Sequence, residues 1–218
     1  RLKEMDGLIE PDRHGAKPED PSYTVNSLYL DTEELHYLDD KLEGLKERKK
    51  VRLRRYGRLR HGFVEVKAKH GRRIQKHRVD LTEEELTAVT MGDLTPIKQA
   101  HVGGVPGAGP LLAEFALLDL VPAVITRYER TAFMFTDDPG LRVTLDRKLS
   151  CLGKDLRKNF LREDIDTMPM LEPEVQGPGI LEVKCSGPIP GDVGRFLRRI
   201  GVERKSISKY CLAVFRSV

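Results

Sequence analysis

Basic side chains recur two residues apart along several β-rich stretches of this 218-residue chain. Residues two apart on a strand share a face. Arg52, Arg54 and Tyr56 therefore lie on one face, opposite Val51 and Leu53. Glu65, Lys67 and Lys69 oppose Val64, Val66 and Ala68, and Lys76 and Arg78 oppose Val79. Further along, Tyr128 and Arg130 oppose Phe133 and Phe135; Arg142, Thr144 and Asp146 oppose Leu141, Val143 and Leu145; and Glu182 and Lys184 oppose Leu181 and Val183. Crowding like charges on one face is unfavourable unless a polyanion or water compensates. Arginine forks and lysine point charges both suit phosphate oxygens, so a chain of phosphates is the ligand this pattern fits.

Three acids stand among these cations: Glu65, Asp146 and Glu182. Each can pair with a neighbouring base, or serve as a hard oxygen ligand to Mg²⁺ or Mn²⁺ whose other ligands are substrate phosphates. Glu182, in LEVK, is the metal candidate; a salt bridge to Lys184 or to a neighbouring-strand arginine fits its spacing equally. His70 and His77 lie near the basic strands, where solvated or structural roles suffice. The glycine-rich VGGVPGAGP (102–110) lacks G-K-[ST] and is not a phosphate cradle.

The elements that must position these residues are hairpins in series with helices between them. Residues 1–10 read as the tail of a helix and 11–21 as a Pro-bearing loop. A strand over Tyr23–Leu30 precedes helical spacing over Glu33–Leu45. Strands over Lys50–Tyr56, Gly62–Lys69 and Arg73–Asp80 are separated by breaks containing Gly57 and Gly71. Thr82 with Glu85 forms a capping box at the start of a helix. Residues 102–110 read as a connector, Leu111–Leu120 as an apolar helix, and Ala123–Thr136 and Leu141–Leu149 as strands joined by the turn at 137–140. Asn159–Gly179 reads as irregular and acidic, Ile180–Cys185 as a strand, and Gly191–Ile200 and Ser206–Phe215 as helices. The expected fold class is α+β, an antiparallel barrel with its charged face inward and helices on its apolar face.

Composition narrows the function. The whole chain carries 38 Lys+Arg against 34 Asp+Glu, a formal net charge of +4. Residues 46–80 alone hold 15 bases and 3 acids, so the remainder is acidic. That asymmetry points to a polyanion site in one segment. Three cysteines without C-x-x-C spacing argue against a disulfide scaffold or structural zinc and fit a cytoplasmic location. No apolar run is long enough to span a bilayer. RNA binding through Lys46–Arg60 is a rival, weakened because aromatics are not interleaved there as stacking platforms.

Taken in order, KVRLRRYG (50–57), FVEVKAKHGRRIQKHRV (63–79), YERTAF (128–133), LRVTLD (141–146), ILEVK (180–184) and SKY (208–210) resemble the VTC (vacuolar transporter chaperone) domain. This is the catalytic domain of polyphosphate polymerases, in the CYTH-like triphosphate tunnel metalloenzyme group. The resemblance runs from about Ser22 to the end of the chain, as a single domain over residues 1–218. It implies an antiparallel β-barrel tunnel of about eight strands with surrounding helices, whose first strand should precede Arg1. It also implies transfer of the terminal phosphate of ATP to a polyphosphate chain, with Mn²⁺ or Mg²⁺ as cofactor. Residue by residue, Arg52 and Arg54 match the family's R-x-R, Lys67 the lysine of E-x-K, and Lys76 the lysine of the next strand. Tyr128 and Arg130 match Y-x-R, Arg142 the following arginine, Glu182 and Lys184 the metal-binding Glu and phosphate-binding Lys of LE-x-K, and Lys209 the lysine of SK-[YF].

The expected catalytic set is Arg52, Arg54, Lys67, Arg130 and Arg142, with Glu182 on the metal. Lys76, Arg78, Tyr128, Lys184, Lys209 and, at a less definite offset, Lys205 would bind substrate or product. The expected partners are ATP, inorganic phosphate and polyphosphate rather than nucleic acid; any membrane-protein partner lies outside this sequence. On the same scaffold a triphosphatase would use water as the nucleophile, and a non-catalytic sensor would only bind.

Overall fold

The computed structural model describes residues 9–11, 22–57, 61–71, 73–136, 138, 140–175 and 177–217. Among these described residues, eight strands form one antiparallel sheet, β1 (Ile9–Pro11), β2 (Ser22–Asp31), β3 (Glu47–Tyr56), β4 (Gly62–His70), β5 (Arg73–Leu81), β6 (Val121–Phe135), β7 (Arg142–Leu152) and β8 (Ile180–Lys184). They run in the order β5-β4-β3-β2-β6-β7-β8, with β1 pairing β6. Seven helices among the described residues complete the expected α+β class: α1 (His36–Leu42), α2 (Glu83–Met91), α3 (Thr95–Val102), α4 (Ala108–Leu117), α5 (Leu156–Phe160), α6 (Gly191–Arg199) and α7 (Lys209–Ser217). None is long and apolar enough to cross a membrane.

The chain resolves into two compact units. The larger comprises Thr24–Tyr128, Leu149–Glu174 and Lys209–Val218. In it, alternation along β3, β4 and β5 sends Val51, Leu53, Val64, Val66 and Val79 into a core completed by Leu86 and Val89 of α2, Ile97 of α3 and Leu111 of α4. The apolar side of these strands thus lies under helices, as their sequence pattern requires. The tight turn between β4 and β5 uses Gly71 at φ +60, a left-handed conformation that favours glycine. Thr82 accepts the Glu85 N–H while the Glu85 carboxylate accepts the Thr82 N–H, so the capping box forms.

The smaller unit comprises Arg1–Tyr23, Glu129–Lys148 and Val175–Ser208. Its core is Phe135, Leu141, Val143, Val193 and Phe196. Helix α6 therefore covers the odd-numbered face of β7 and β8, leaving Arg142, Glu182 and Lys184 on the opposite face.

Several boundaries differ from the sequence reading. Ile9–Pro11 is a strand paired with Phe133–Phe135 rather than the tail of a helix; residues 1–8 and 12–21 lie outside the described set, as do 58–60 of the basic run and 137 and 139 of the turn. Helix α3 falls where no element was expected: Pro96 occupies its first turn, where a missing N–H costs nothing. The connector at 102–110 is partly helical, since α4 starts at Ala108. Gly107 packs so closely on β5 that a Cβ there would lie 2.2 Å from the Arg78 carbonyl oxygen, so its glycine reflects contact rather than slack. Ser206–Ser208 stay outside α7, consistent with serine favouring helix ends over interiors.

Candidate functional site

Register decides which basic residues meet. On the larger unit, Tyr29, Arg52, Glu65 and Arg78 stand in one cross-strand row over β2–β5. The next row is Ser27, Arg54, Phe63 and Asp80, and on the other side Lys50, Lys67 and Lys76 are in register. With Arg48 and Lys69, the face of β3–β5 carries eight cations against two carboxylates, Glu65 and Asp80.

Glu65 organises this face from its centre. Its side chain is fully buried, bonded to the Arg52 guanidinium and 2.9 Å from Lys76 Nζ. Burial alone would raise its pKa, but the charges of Arg52, Arg54 and Lys76 pull it down to about 2. Arg52 also donates to Tyr29 Oη at 3.0 Å, and Arg54 donates to Ser27 Oγ at 3.2 Å. Burial would raise the Tyr29 pKa as well; Arg52, Arg54, Lys50 and Lys209 hold it below the usual tyrosine value instead. Phe63 lies beneath the guanidinium of Arg78, 4.7 Å from its centroid, with Arg54 and Lys76 also over the ring. Lys67 is exposed, and Lys76 is about half exposed with its ammonium on Glu65.

Lys209, at the start of α7, places its ammonium 4.9 Å from the centroid of buried Tyr128. Beside it, Tyr210 stacks on Tyr29 with centroids 5.0 Å apart. The larger unit thus brings together Arg52, Arg54, Lys67, Lys76 and Arg78 on three adjacent strands, and sets Tyr128 against Lys209.

On the smaller unit, Arg130 grips Asp146 through two parallel bonds of 2.7 and 2.8 Å. Arg130 Nη2, one of the two nitrogens bonding Asp146, also lies 3.9 Å from Glu182 Oε2, while Lys184 Nζ lies 3.5 Å from Glu182 Oε1. Arg142 pairs in register with Lys184, and Thr144 with Glu182. Burial, helped by the charges of Arg130 and Arg142, pushes the Lys184 pKa below the lysine range, against the opposing pull of Glu182. Lys205 is exposed and bonds Glu203 at 2.8 Å.

Asp146 is committed to Arg130, whereas Glu182 is 41% exposed and both its ion pairs are long. No group of three or more His, Cys, Asp or Glu among the described residues could enclose a metal. This donor set fits a hard cation that arrives with phosphate oxygens and takes one protein carboxylate, Glu182. Sequence reasoning missed Tyr29, Asp31 and Tyr210; the only signal was the placement of Tyr210 beside Lys209 and of Asp31 at the end of a β-rich run.

A family model described as the VTC domain matches residues 3–217. The chain belongs to the VTC domain family. Subunit 4 of the vacuolar transporter chaperone complex of Schizosaccharomyces pombe is 30% identical over 189 residues, which cover 75% of this VTC domain chain and 26% of that relative. The chain thus spans about a quarter of the length of that protein. Among solved structures, a putative adenylyl cyclase, HpAC1 from Hippeastrum, described as having a dominant triphosphatase activity, aligns with all of this chain and 89% of its own at a TM-score of 0.50 and 14% identity. That likeness concerns the fold of the VTC domain.

Proposed function

We propose that this VTC domain is a phosphotransferase that moves the terminal phosphate of ATP onto a polyphosphate chain. The observation that carries the proposal is the excess of cations on the β3–β5 face around one buried carboxylate. A solvated sheet face with no anionic ligand gains nothing from that imbalance. Family membership and the partial match to a vacuolar transporter chaperone subunit favour polyphosphate as the anion.

In-line phosphoryl transfer needs positioning and charge neutralisation more than a covalent group. Arg52, Arg54 and Lys67 would hold phosphate oxygens on the larger unit's face, and Arg130 and Arg142 would do so on the smaller unit. Lys76, Arg78, Lys184, Lys209 and Lys205 would bind the rest of the chain, with Tyr128 supporting Lys209. The acceptor phosphate is already anionic, so no general base is required. Glu182 would hold Mn²⁺ or Mg²⁺, which when bound neutralises phosphate charge in the transition state.

Incubating the protein with ATP and Mn²⁺, then resolving products on a gel, tests the proposal. A polyphosphate ladder is expected. Release of free phosphate alone would replace it with a triphosphatase, and ATP binding without turnover would leave a sensor.

A further inference from the structure

Asp31 lies at the end of β2 with its side chain fully buried, on the same side of the strand as Ser27 and Tyr29. Its Oδ1 accepts the N–H groups of Thr32 and Tyr37, both at 2.8 Å. Oδ2 accepts the Leu38 N–H at 3.1 Å and the hydroxyl of Tyr210. The carboxylate therefore ties the end of β2 to the first turn of α1 and to α7. From Tyr210 the linkage continues in two directions. The ring stacks on Tyr29, whose hydroxyl accepts from Arg52, and the preceding residue, Lys209, reaches over Tyr128.

We propose that Asp31, acting through Tyr210, is a positioning residue that fixes Lys209 and the Arg52–Tyr29 pair for phosphate binding. The proposal rests on the phosphate-binding reading of this face. The physical reason is strength at a distance. A hydroxyl donating to a buried carboxylate is a charge-assisted bond, shorter and stronger than a neutral one. The docking of a nine-residue helix sets where a lysine on its first turn starts from. Burial, together with the bond to Asp31, raises the Tyr210 pKa well above the ordinary value, so the phenol stays a donor at any physiological pH. The core around Tyr210 (Tyr29, Leu38, Val124, Ala213, Val214) docks the helix, and the hydroxyl bond to Asp31 adds a directional polar contact at its first turn.

The same unit contains a matched control. Tyr37, also buried, donates its hydroxyl to Glu114 Oε2 at 2.7 Å, while Lys49 bonds Glu114 Oε1 at 2.6 Å. Tyr37→Phe removes the same chemical group from the same kind of partner, Glu114, while leaving in place both the backbone bond from Tyr37 to Asp31 and the Tyr210–Asp31 bond.

The experiment compares wild type, Tyr210→Phe and Tyr37→Phe in the whole protein by two readouts. The first is the rate at which an amine-acylating reagent labels Lys209, followed by peptide mass spectrometry without any ligand. Tyr210→Phe should raise that rate by about fivefold, the ratio that loss of one hydrogen bond gives, with Tyr37→Phe unchanged. The second is the dissociation constant for inorganic tripolyphosphate, expected to weaken by about tenfold in Tyr210→Phe and to stay unchanged in Tyr37→Phe. Equal labelling in all three proteins, or equal changes in both variants, would overturn the positioning role. Failure of wild type to bind tripolyphosphate would overturn the phosphate-binding reading instead, while the labelling rates still decide whether Asp31 and Tyr210 place Lys209. Should Tyr210→Phe fail to fold, Asp31→Asn gives a second test, since it removes the charge that strengthens the Tyr210 bond: Lys209 labelling should rise here too, and an unchanged rate would overturn the role.

Discussion

Glu65 offers the sharpest quantitative test, because one carboxylate holds together a face otherwise made of cations. It is fully buried, it bonds Arg52 and Lys76, and its pKa falls from the ordinary 4.5 to about 2. A group whose folded-state pKa is depressed contributes stability that is present above the unfolded-state value and lost as pH falls through the folded one. The difference between 4.5 and about 2 corresponds to about 3 kcal/mol. Wild type should therefore keep this contribution at pH 7 and lose it between about pH 5 and pH 2. Glu65→Gln removes the titrating group, so its acid sensitivity over that window should be smaller by about 3 kcal/mol. At pH 7 the variant should itself be less stable by ~3 kcal/mol, since Arg52 and Lys76 lose a buried partner. Urea unfolding followed by circular dichroism at several pH values measures both quantities. A second arm separates the electrostatic explanation from simple packing: tripolyphosphate should restore more stability to Glu65→Gln than to wild type, because the variant presents uncompensated cations. Parallel pH profiles for the two proteins, with equal rescue, would refute the reasoning.

Other outcomes follow from the same geometry. Arg130→Lys cannot reproduce the two parallel bonds to Asp146, and unfolding should show a loss of ~1–2 kcal/mol. Glu182→Ala should raise the Mn²⁺ concentration needed for half-maximal turnover while leaving metal-free tripolyphosphate binding intact; an unchanged metal requirement would remove Glu182 from the proposed role. Thr82→Ala dismantles the capping box and should lower stability by ~1 kcal/mol without altering phosphate binding. Tripolyphosphate affinity should drop by about tenfold on moving from low to high salt, as expected where many exposed cations contact one polyanion.

The strand faces were legible because a period of two is local: Arg52 and Arg54 share a face wherever β3 lies in the sheet. The same logic separated Val51 and Leu53 from them and required a helical cover, which α2, α3 and α4 supply. Register was not legible. Nothing in the sequence of β4 says that Glu65 stands beside Arg52 and Arg78 rather than beside Arg54, since turn geometry and the opposing strand fix that alignment. Helix α1 illustrates a second limit. Its leucine spacing suggested residues 33–45, but the helix covers only His36–Leu42, because Asp31 captures the Tyr37 and Leu38 N–H groups and Leu35 takes a left-handed conformation ahead of them. Side chains that act through others leave no periodic trace. Tyr210 was visible in the sequence only as the neighbour of Lys209, and its bond to Asp31 joins residues 179 positions apart.

That long-range bond bears on how a face crowded with cations can be held in shape before any anion arrives. Like charges in adjacent rows repel, and freely moving side chains would relieve the repulsion by swinging apart into solvent. Arg52 and Arg54 are prevented from doing so by neutral or anionic partners beneath them: Tyr29 and Glu65 for Arg52, Ser27 for Arg54. Lys76 is likewise held by Glu65, and exposed Lys67 remains the adaptable part of the face. Fixed arginines next to a movable lysine suit a ligand of repeating identical charges. The planar forks set the position of one phosphate group, while Lys67 accommodates neighbours whose spacing changes as the chain moves. A site built for a single compact anion would gain more by fixing every cation, so weaker discrimination between tripolyphosphate and longer chains than between either and orthophosphate is the expected consequence of this division.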